Sequence, residues 1–527
     1  MDYNPQTISL PQNSDWYAIL KDPYRKELES RLPDFLRKCR WFGGKAKSIS
    51  GIKALAGEFL PKTRNKTFFL TVIVSYEDYP DDHYLLPLSC RFTGQEEPPG
   101  DISMPLARIR IGGREGIIYD ASGNPEFRKA CFNLIAREEV TGGEEEYLHG
   151  IPGKSLRGKM KYRTSLPESR LLRKEQSNTS FIYGNEYILK LYRRVTDTSN
   201  PEVEIIRFLT EVADFTHIAP FAGLIEEIRS GSRSITLALL QSYVEHDDDA
   251  WTYFLNAARH CFSQPQNLID DKYLKEVELL GKRTAQLHQA LASNPGNPDF
   301  SPEPYSLSDR EVQLNSSLSL LEEVFRNLKN SEERLRPGIR DEAGRLLAQK
   351  PVLIDRIRRI SDQPDPGMKI RIHGDYHLGQ VLRTEDDFVI IDFEGEPARN
   401  IVERRRKRSP LIDVAGMIRS FHYAAYGTIF LKKTIPPEEI AAFSPRAEDW
   451  YQVMSGTFLD SYLATMAQGS VDLLPDNRKV LNRMLEFFLL DKAVYELNYE
   501  LNNRPEWAII PLRGIKLNDS QTSYPDK

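Results

Sequence analysis

Residues 372–396 read IHGDYHLGQVLRTEDDFVIIDFEGE, and this stretch decides how the rest of the chain is interpreted. Asp375 comes directly after a short apolar segment, predicted as a strand over Lys369–Ile372. Gln380 follows five residues later, and a second predicted strand, Phe388–Asp392, ends in an aspartate. The pattern therefore predicts two short strands joined by a polar loop that carries side chains suited to chemistry.

This spacing fits the requirements of phosphoryl transfer from ATP. One carboxylate must orient the attacking hydroxyl and accept its proton, and oxygen ligands must hold Mg²⁺ against the phosphates. Asp375 suits the first role, whereas Gln380 and Asp392 suit the second. Glu394 lies two residues beyond Asp392 and is a further candidate metal ligand. The segment therefore predicts a kinase that uses ATP and Mg²⁺.

The same segment also permits a metallohydrolase, because His373, Asp375 and His377 form an H-x-D-x-H pattern. Zinc prefers His and Cys ligands, but the nine histidines of the chain form no other group with metal-binding spacing. The kinase interpretation is therefore preferred. It places His373 beside the substrate, hydrogen-bonded to the loop backbone, and gives His377 a supporting role.

A kinase of this kind also needs a strand lysine for the ATP phosphates and a helix glutamate that pairs with the lysine. Lys190 alternates with apolar residues in YILKLY, and a helix is predicted to begin at Asn200. Glu204 is the preferred partner because it lies a turn inside that helix. Glu202 is the competing candidate.

The turn before the Lys190 strand has small polar side chains where many kinases have glycines. We expect these side chains and their backbone N–H groups to contact the ATP phosphates, although a plain polar hairpin is the alternative. The residues are Gln176, Ser177, Asn178, Thr179 and Ser180. Adenine is expected to meet the backbone between Gln241 and Val244, after the predicted strand Ser234–Tyr243.

Strand patterns come first along the chain and helical patterns follow, which indicates an α+β fold with a site at the junction. Short β-rich runs between about 51 and 120 predict an antiparallel sheet, and Phe127–Glu138 predicts a helix. Residues 141–164 are expected to form a linker or exposed loop. A hairpin is predicted over 170–194, and the chain is mostly helical after about 250.

Composition excludes several classes of protein. The 527 residues carry a net charge of −5, which gives no global reason to bind nucleic acid or an anionic membrane. No apolar run approaches the roughly 20 residues of a membrane helix. The four cysteines have no CxxC spacing and are expected to be reduced, as in a cytoplasmic protein. The first 15 residues or so are expected to be disordered.

Two motifs are rejected as sites. Gly153-Lys154-Ser155 mimics the end of a P-loop, but the first glycine that such a loop needs falls on Leu148. The basic run Arg404–Arg408 has no interleaved aromatic residues and is expected to be a solvated helix face.

Taken together, the motifs resemble the maltokinase family, in the aminoglycoside-phosphotransferase-like branch of the eukaryotic-type kinase fold. The resemblance rests on six segments: RWFGGKAKSI (40–49), EQSNTS (175–180), LGKRTAQLHQAL (280–291), HGDYHLGQVL (373–382), IIDFEGEPARNIVERRRKRSPLIDVAGMIRSFHYAA (390–425) and LLDKAVYELNYELNNRPEWAIIPLRGI (489–515).

The resemblance implies a bilobal kinase with an N-terminal cap subdomain over 1–135, a β-rich N-lobe over 136–245 and a helical C-lobe over 246–527. It implies ATP-dependent phosphorylation of maltose at the anomeric hydroxyl, giving maltose 1-phosphate for α-glucan synthesis. Asp375 would be the base, with Gln380 and Asp392 as Mg²⁺ ligands. Any coupling to a trehalose synthase would involve a separate protein. Many relatives in the superfamily have Asn where this chain has Gln380.

The sugar site is expected on one helix face, where four side chains recur at helical spacing: Lys492, Tyr495, Glu496 and Tyr499. Arg504 and Trp507 are further candidates. A core-facing tyrosine stripe with an ion pair is the alternative interpretation of this face. Two alternatives to maltose phosphorylation stay open, a kinase for another sugar such as glucosamine and a kinase-fold binding protein without catalysis.

Overall fold

The computed structural model describes residues 7–63, 65–94, 104–160, 166–172, 177–229, 234–264, 268–361, 366–397, 399–430 and 437–517. The chain forms two compact units. The first consists of Met1–Arg207 with Ala219–Val244, and the second of Phe208–Ile218 with Glu245–Lys527. Strands dominate the first unit and helices the second, so the predicted α+β class is confirmed.

The first unit begins with a sheet in the strand order β1-β5-β6-β4-β3-β2. Its elements are β1 (Thr7–Leu10), α1 (Tyr24–Glu29), α2 (Leu32–Lys38), β2 (Ile49–Phe59), β3 (Phe68–Tyr76), β4 (Asp82–Phe92), β5 (Pro105–Ile111) and β6 (Arg114–Asp120). The strands β2 to β6 pair antiparallel, as predicted for this region. Apolar side chains of the strands and of the two helices share one core.

The expected disorder of the first 15 residues is wrong for Thr7–Leu10. This strand pairs in parallel with Arg108–Ile111, and Ile8 and Leu10 are buried while Thr7 and Ser9 are exposed. The alternation is that of a half-buried edge strand. With only four residues, the pattern is too short to be distinguished from a polar tail by sequence.

A second sheet in the first unit has the order β7-β8-β13-β14-β11-β10-β9. The elements in this part of the chain are α3 (Pro125–Ala136), β7 (Val140–Gly142), β8 (Glu146–Pro152), α4 (Lys154–Met160), β9 (Ser169–Leu172), β10 (Thr179–Tyr183), β11 (Tyr187–Leu191), β12 (Arg194–Val195), α5 (Pro201–Glu211), β13 (Phe221–Arg229) and β14 (Ile235–Ser242). Of these, β12 pairs with β4 of the first sheet. The helix α5 runs on into the second unit. The predicted hairpin is present as β10 and β11, which turn at Gly184 with φ of +57°.

The linker expected over 141–164 is wrong for residues 141–160, and residues 161–164 lie outside the described residues. The strand β8 pairs with β13 along its length, and α4 follows it. Gly150 permits this packing, because a Cβ there would lie 2.0 Å from the carbonyl oxygen of Leu134 in α3. Glycines and charged residues in this segment resemble linker composition, but the glycine serves a close approach of two backbones.

Arg193 joins the two sheets of the first unit. Its side chain is 1% exposed, and its guanidinium donates to Thr179 Oγ1 at 2.8 Å and to Ser122 Oγ at 2.9 Å. It also pairs with Asp120 at 2.8 Å and lies 4.7 Å from the centre of the Trp41 ring. One buried cation therefore contacts three separate segments, at Trp41, at Asp120 and Ser122, and at Thr179.

We expect Arg193→Met to lower the free energy of unfolding by about 3 kcal/mol, because Asp120 and two hydroxyls lose their partner in a desolvated place. Denaturant unfolding measures this loss. The control is Arg110→Met, which breaks an ion pair with Glu115 whose two side chains are 53% and 58% exposed. Such exposed pairs contribute less than about 1 kcal/mol. Equal losses in the two variants would contradict the role given to Arg193.

The second unit is mainly helical. Its elements are β15 (Asp248–Asp249), α6 (Ala250–Ser263), α7 (Asp271–Leu291), β16 (Glu303–Pro304), α8 (Leu307–Ser331), α9 (Pro337–Ala348), α10 (Lys350–Ser361), β17 (Met368–Lys369), β18 (Val381–Arg383), β19 (Phe388–Ile390), α11 (Ile401–Arg404), α12 (Leu411–Phe430), α13 (Pro437–Met466), α14 (Arg478–Asn503) and α15 (Ile509–Leu517). No helix in the described ranges is long and apolar enough to cross a membrane.

The two strands predicted around the decisive loop are shorter in the structure. The first reduces to β17 with a bridge from Ile370 to Arg408, and the second ends at Ile390. The helix α12 packs against α6, α13 and α14, and it passes behind the loop that joins β17 to β18. This helix supplies the side chain that fixes the loop.

Candidate active site

The loop between β17 and β18 is held by hydrogen bonds to its own backbone. His373 is 1% exposed, and its Nε2 lies 2.9 Å from the carbonyl oxygen of Ile391. Gly374 has φ of +83° and lies against Gly395, a conformation that L side chains rarely adopt. The Nδ1 of His377 accepts the N–H of Gly379 at 3.0 Å. His373 and His377 are thus placed to support the loop.

Asp413 on α12 holds this loop by hydrogen bonds, and the sequence analysis did not identify this residue. Its carboxylate accepts the backbone N–H groups of His373 and Gly374 at 2.8 and 2.9 Å. Burial by itself raises its pKa, but hydrogen bonding to His288 and the backbone holds the pKa of Asp413 below its ordinary value. His288 in turn contacts Tyr462 OH at 2.9 Å. A lone aspartate in the apolar run LIDVAGMI was the available signal.

Asp375 projects from this loop towards α14. Its Oδ1 lies 3.6 Å from Lys492 Nζ, and both side chains are about three-quarters buried. Burial by itself lowers the pKa of Lys492, but Asp375, Glu396 and Glu496 raise it above the ordinary value. Lys492 is therefore a cation beside the predicted base, as the proposed sugar-binding helix face requires.

Gln380 and Asp392 meet as the sequence predicted. The Nε2 of Gln380 donates to Asp392 Oδ2 at 3.0 Å, and the N–H of Ile391 donates to the carbonyl oxygen of Gln380 at 3.0 Å. Asp392 has φ of +66°, a left-handed conformation that costs energy for a residue other than glycine. Glu394 is half-buried two residues further on. Strain of this kind is typical of functional positions.

The predicted sugar face of α14 divides into two parts. Lys492 Nζ lies 4.9 Å from the centre of the Tyr495 ring, next to Asp375. Glu496 instead pairs with Arg419, which is 2% exposed, at 2.7 Å. Tyr499 is 49% exposed and lies 5.6 Å from the Arg504 guanidinium. The carboxylate of Glu496 is thus engaged in a buried ion pair with Arg419, rather than in the pair with Lys492, four residues earlier, that the alternative interpretation implied.

Two further residues belong beside this face and were missed. Glu396 is 7% exposed and pairs with Arg399 at 2.5 Å. Burial raises the pKa of Tyr495, and a hydrogen bond to Glu396 and the charges of Glu396 and Asp375 raise it further. Glu396 is separated from Lys492 by almost a hundred residues, so the spacing in the sequence gives no signal for this contact.

In the first unit, the partner predicted first for Lys190 is wrong. Lys190 Nζ lies 3.0 and 3.2 Å from the two carboxylate oxygens of Glu202, the competing candidate to Glu204. Tyr192 OH also donates to Glu202, at 2.7 Å. The side chain of Asn200 caps the helix by accepting the N–H of Glu202 at 2.9 Å. Residues two positions apart lie about 200° apart around a helix, so Glu202 and Glu204 point in different directions.

We therefore expect Glu202→Gln to lower kcat/KM for ATP about tenfold or more, because a charge-assisted contact that fixes Lys190 is lost. The matched Glu204→Gln variant removes the same charge two residues further along the helix, about half a turn away, and should have the smaller effect. Steady-state ADP release at varied ATP measures both. A larger loss from Glu204→Gln would restore the original assignment.

The predicted nucleotide turn is only partly described, since Gln176 lies outside the described residues. Asn178, Thr179 and Ser180 are buried, and Ser177 is exposed. The Oγ1 of Thr179 already accepts from Arg193, and Ser180 lies opposite Lys190 between two strands. These two side chains serve the fold, so any phosphate contact from them would come through backbone N–H groups.

The predicted adenine segment follows β14. The Nε2 of Gln241 donates to the carbonyl oxygen of Ala219 at 3.0 Å, and Val244 is half-buried just after the strand ends. The side chain of Gln241 thus fixes the chain at Ala219. The contact of adenine with the backbone between Gln241 and Val244 stays a prediction.

The basic run is not the solvated face that was expected. Arg404 donates to the carbonyl oxygen of Arg399 at 2.8 Å, and Lys407 reaches Glu303 at 2.6 Å. Burial lowers the pKa of Arg408 to about 10. These cations fasten the segment after the catalytic loop to neighbouring elements.

Comparison with known proteins agrees with this geometry. Residues 168–395 match the model of the phosphotransferase enzyme family, and residues 35–123 match the maltokinase N-terminal cap domain. A glucosamine kinase from Streptacidiphilus jiangxiensis is 26% identical over 339 residues, covering 64% of this chain and 70% of the relative. Another, from Mycolicibacterium smegmatis (strain ATCC 700084 / mc(2)155), is 24% identical over 351 residues, covering 64% and 76%.

Solved structures show the same fold. A glucosamine kinase in complex with glucosamine, ADP and inorganic phosphate has a TM-score of 0.62 at 20% identity, covering 90% of this chain and 94% of its own. Crystal form B of glucosamine kinase also has a TM-score of 0.62, at 19% identity, covering 96% and 97%. These similarities confirm the predicted bilobal kinase-like fold.

The fold and the matched domains define a phosphotransferase enzyme of the kinase-like class. More particularly, residues 168–395 are similar to the phosphotransferase enzyme family, and residues 35–123 are similar to the N-terminal cap domain of the maltokinases.

Proposed function

We propose that this enzyme transfers the γ-phosphoryl group of ATP to the anomeric hydroxyl of maltose, giving maltose 1-phosphate for α-glucan synthesis. The observation that carries the proposal is the contact of Asp375 with Lys492, next to the hydrogen-bonded pair of Gln380 and Asp392. The maltokinase-type cap supports maltose as the acceptor.

In this mechanism Asp375 accepts the proton of the anomeric hydroxyl. The sugar oxygen forms a bond to the γ-phosphorus, the bond from that phosphorus to the β–γ bridging oxygen breaks, and ADP leaves. The loop must hold Asp375 still during this step, and Asp413 does so through two backbone N–H groups. Lys492 stabilises the carboxylate charge of Asp375 and offers N–H donors to the sugar. Lys190, fixed by Glu202, is assigned to the ATP phosphates.

The donor types fit Mg²⁺, because Asp392 offers carboxylate oxygens and Gln380 offers an amide oxygen. The amide nitrogen of Gln380 holds the two side chains together by donating to Asp392 Oδ2 at 3.0 Å. Glu394 offers a further oxygen from the same strand end. When bound, Mg²⁺ would neutralise charge on the transferring phosphates. The left-handed backbone of Asp392 costs stability, and such strain is typical of residues that bind a ligand or a metal.

Charge balance favours a neutral acceptor over an amino sugar. Each carboxylate near Lys492 on the acceptor side already faces a cation, which leaves little uncompensated negative charge for an ammonium group. The pairs are Asp375 with Lys492 at 3.6 Å, Glu396 with Arg399 at 2.5 Å and Glu496 with Arg419 at 2.7 Å.

The second candidate is phosphorylation of glucosamine, because the two named relatives are glucosamine kinases. ADP release from Mg·ATP separates the candidates when maltose, glucosamine, glucose and an aminoglycoside are compared. ADP release that depends on maltose supports the proposal. ADP release that depends on glucosamine would mean that glucosamine, and not maltose, is the acceptor. ATP binding without release in any assay would favour a non-catalytic binding protein. A cytoplasmic location and association with a separate trehalose synthase stay predictions.

A further inference from the structure

The loop after Asp392 holds an ion pair that has no part in the chemical step. Glu396 and Arg399 lie 2.5 Å apart, with side chains 8% and 30% exposed. A carboxylate this well buried is normally paired, because an isolated buried charge is costly. The pair therefore consists of a shielded anion and a cation that is more accessible to solvent.

Glu396 is also coupled to the predicted sugar face. It hydrogen-bonds Tyr495, and its charge acts on Lys492. The Lys492 ammonium lies 4.9 Å from the centre of the Tyr495 ring and 3.6 Å from Asp375. The carboxylate of Glu396 is thus close enough to influence the electrostatic potential at the acceptor hydroxyls.

From this arrangement we infer that Arg399 determines acceptor specificity by neutralising Glu396, so that the site accepts a neutral sugar and rejects a cationic amino sugar. This inference rests on the proposed function. A free carboxylate at Glu396 would attract the ammonium of glucosamine, whereas a carboxylate already held by a guanidinium has little affinity left for it. Arg399 thus acts on selectivity through Glu396 and is a positioning residue rather than a catalytic one.

The test is Arg399→Met, which removes the charge and keeps most of the alkyl chain. We measure kcat/KM for maltose and for glucosamine at about pH 6.5, where an α-amino-type amine is mostly protonated. The ratio of glucosamine to maltose should rise about tenfold, the change expected when one carboxylate in a partly desolvated site is no longer neutralised. N-acetylglucosamine, which carries no charge, should show no such rise.

The second variant is Glu396→Gln, which leaves Arg399 as the uncompensated charge and should move the ratio in the opposite direction. The double variant should return the ratio close to that of the wild type. The matched control is Arg356→Met. Arg356 lies on α10 and pairs at 2.9 Å with Glu486, which lies on α14 six residues before Lys492. Thermal unfolding of each variant shows whether it is folded.

A ratio that stays within about twofold in folded Arg399→Met, or that rises equally in Arg356→Met, overturns the inference. If Arg399→Met does not fold, the ratio in Glu396→Gln is the test: a fall supports the inference, and a rise or no change overturns it. Failure of the proposed function is recognised separately, since the wild-type enzyme would then prefer glucosamine or use neither sugar.

Discussion

Asp375→Asn is expected to lower kcat for maltose-dependent ADP release by about 10³-fold, within the range typical of a lost general base. The amide has the shape of the carboxylate but cannot accept the proton of the sugar hydroxyl. Lys492, which lies 3.6 Å from the carboxylate, would lose its charged partner as well. The affinity for ATP should change little, because the residues assigned to the ATP phosphates lie elsewhere in the chain.

Two measurements make this expectation specific. Equilibrium binding of ATP, followed by fluorescence or calorimetry, separates loss of catalysis from loss of the nucleotide site. Asp386→Asn is the matched control, since Asp386 is exposed in the same segment and should leave turnover unchanged. Retained turnover in Asp375→Asn removes this residue from the role of base. Loss of ATP binding in the same variant would mean that it acts on the nucleotide instead.

The parts of the site that the sequence predicted are those fixed by local rules. A tight turn at Gly184 follows from hairpin geometry, and the structure pairs the strands on either side of it. Gln380 directly precedes β18 and Asp392 lies just after β19, and the antiparallel pairing of these two strands, with Val381 opposite Ile390, brings the amide to Asp392. Each of these features depends on residues less than about twenty positions apart.

The parts that could not be predicted depend on contacts distant in sequence. Asp413 is one aspartate in an apolar helix, and only the fold shows that His373 and Gly374 lie above it. Glu396 and Tyr495 meet for the same reason. The prediction that Glu204 pairs with Lys190 is wrong for a local reason, because Glu202, next to the Asn200 cap, is the residue that contacts Lys190. The direction in which a residue of the first helical turn points, and not its distance from the start of the helix, decides which glutamate contacts Lys190.

Asp392 provides the second large effect, and its backbone makes two substitutions informative. Asp392→Asn removes the negative charge, and asparagine tolerates the left-handed conformation that Asp392 adopts at φ of +66°. Asp392→Ala removes the charge and adds a conformational penalty of roughly 1–2 kcal/mol. Both variants should lower kcat/KM for Mg·ATP about 100-fold or more. Of the two proposed metal ligands Gln380 and Asp392, the carboxylate of Asp392 carries the charge, and both substitutions remove it.

The comparison of the two variants separates ligation from folding. ADP release is titrated with Mg²⁺, and the free energy of unfolding is measured by denaturant without nucleotide. If Asp392 binds the metal, Asn and Ala should shift the Mg²⁺ requirement to higher concentration by similar factors, while Ala alone should lose the additional stability. An unchanged Mg²⁺ titration in Asp392→Asn would contradict a ligand role. In that case the strained backbone at Asp392 would have to serve the hydrogen bond to Gln380, whose loss Asp392→Ala would reveal through stability alone.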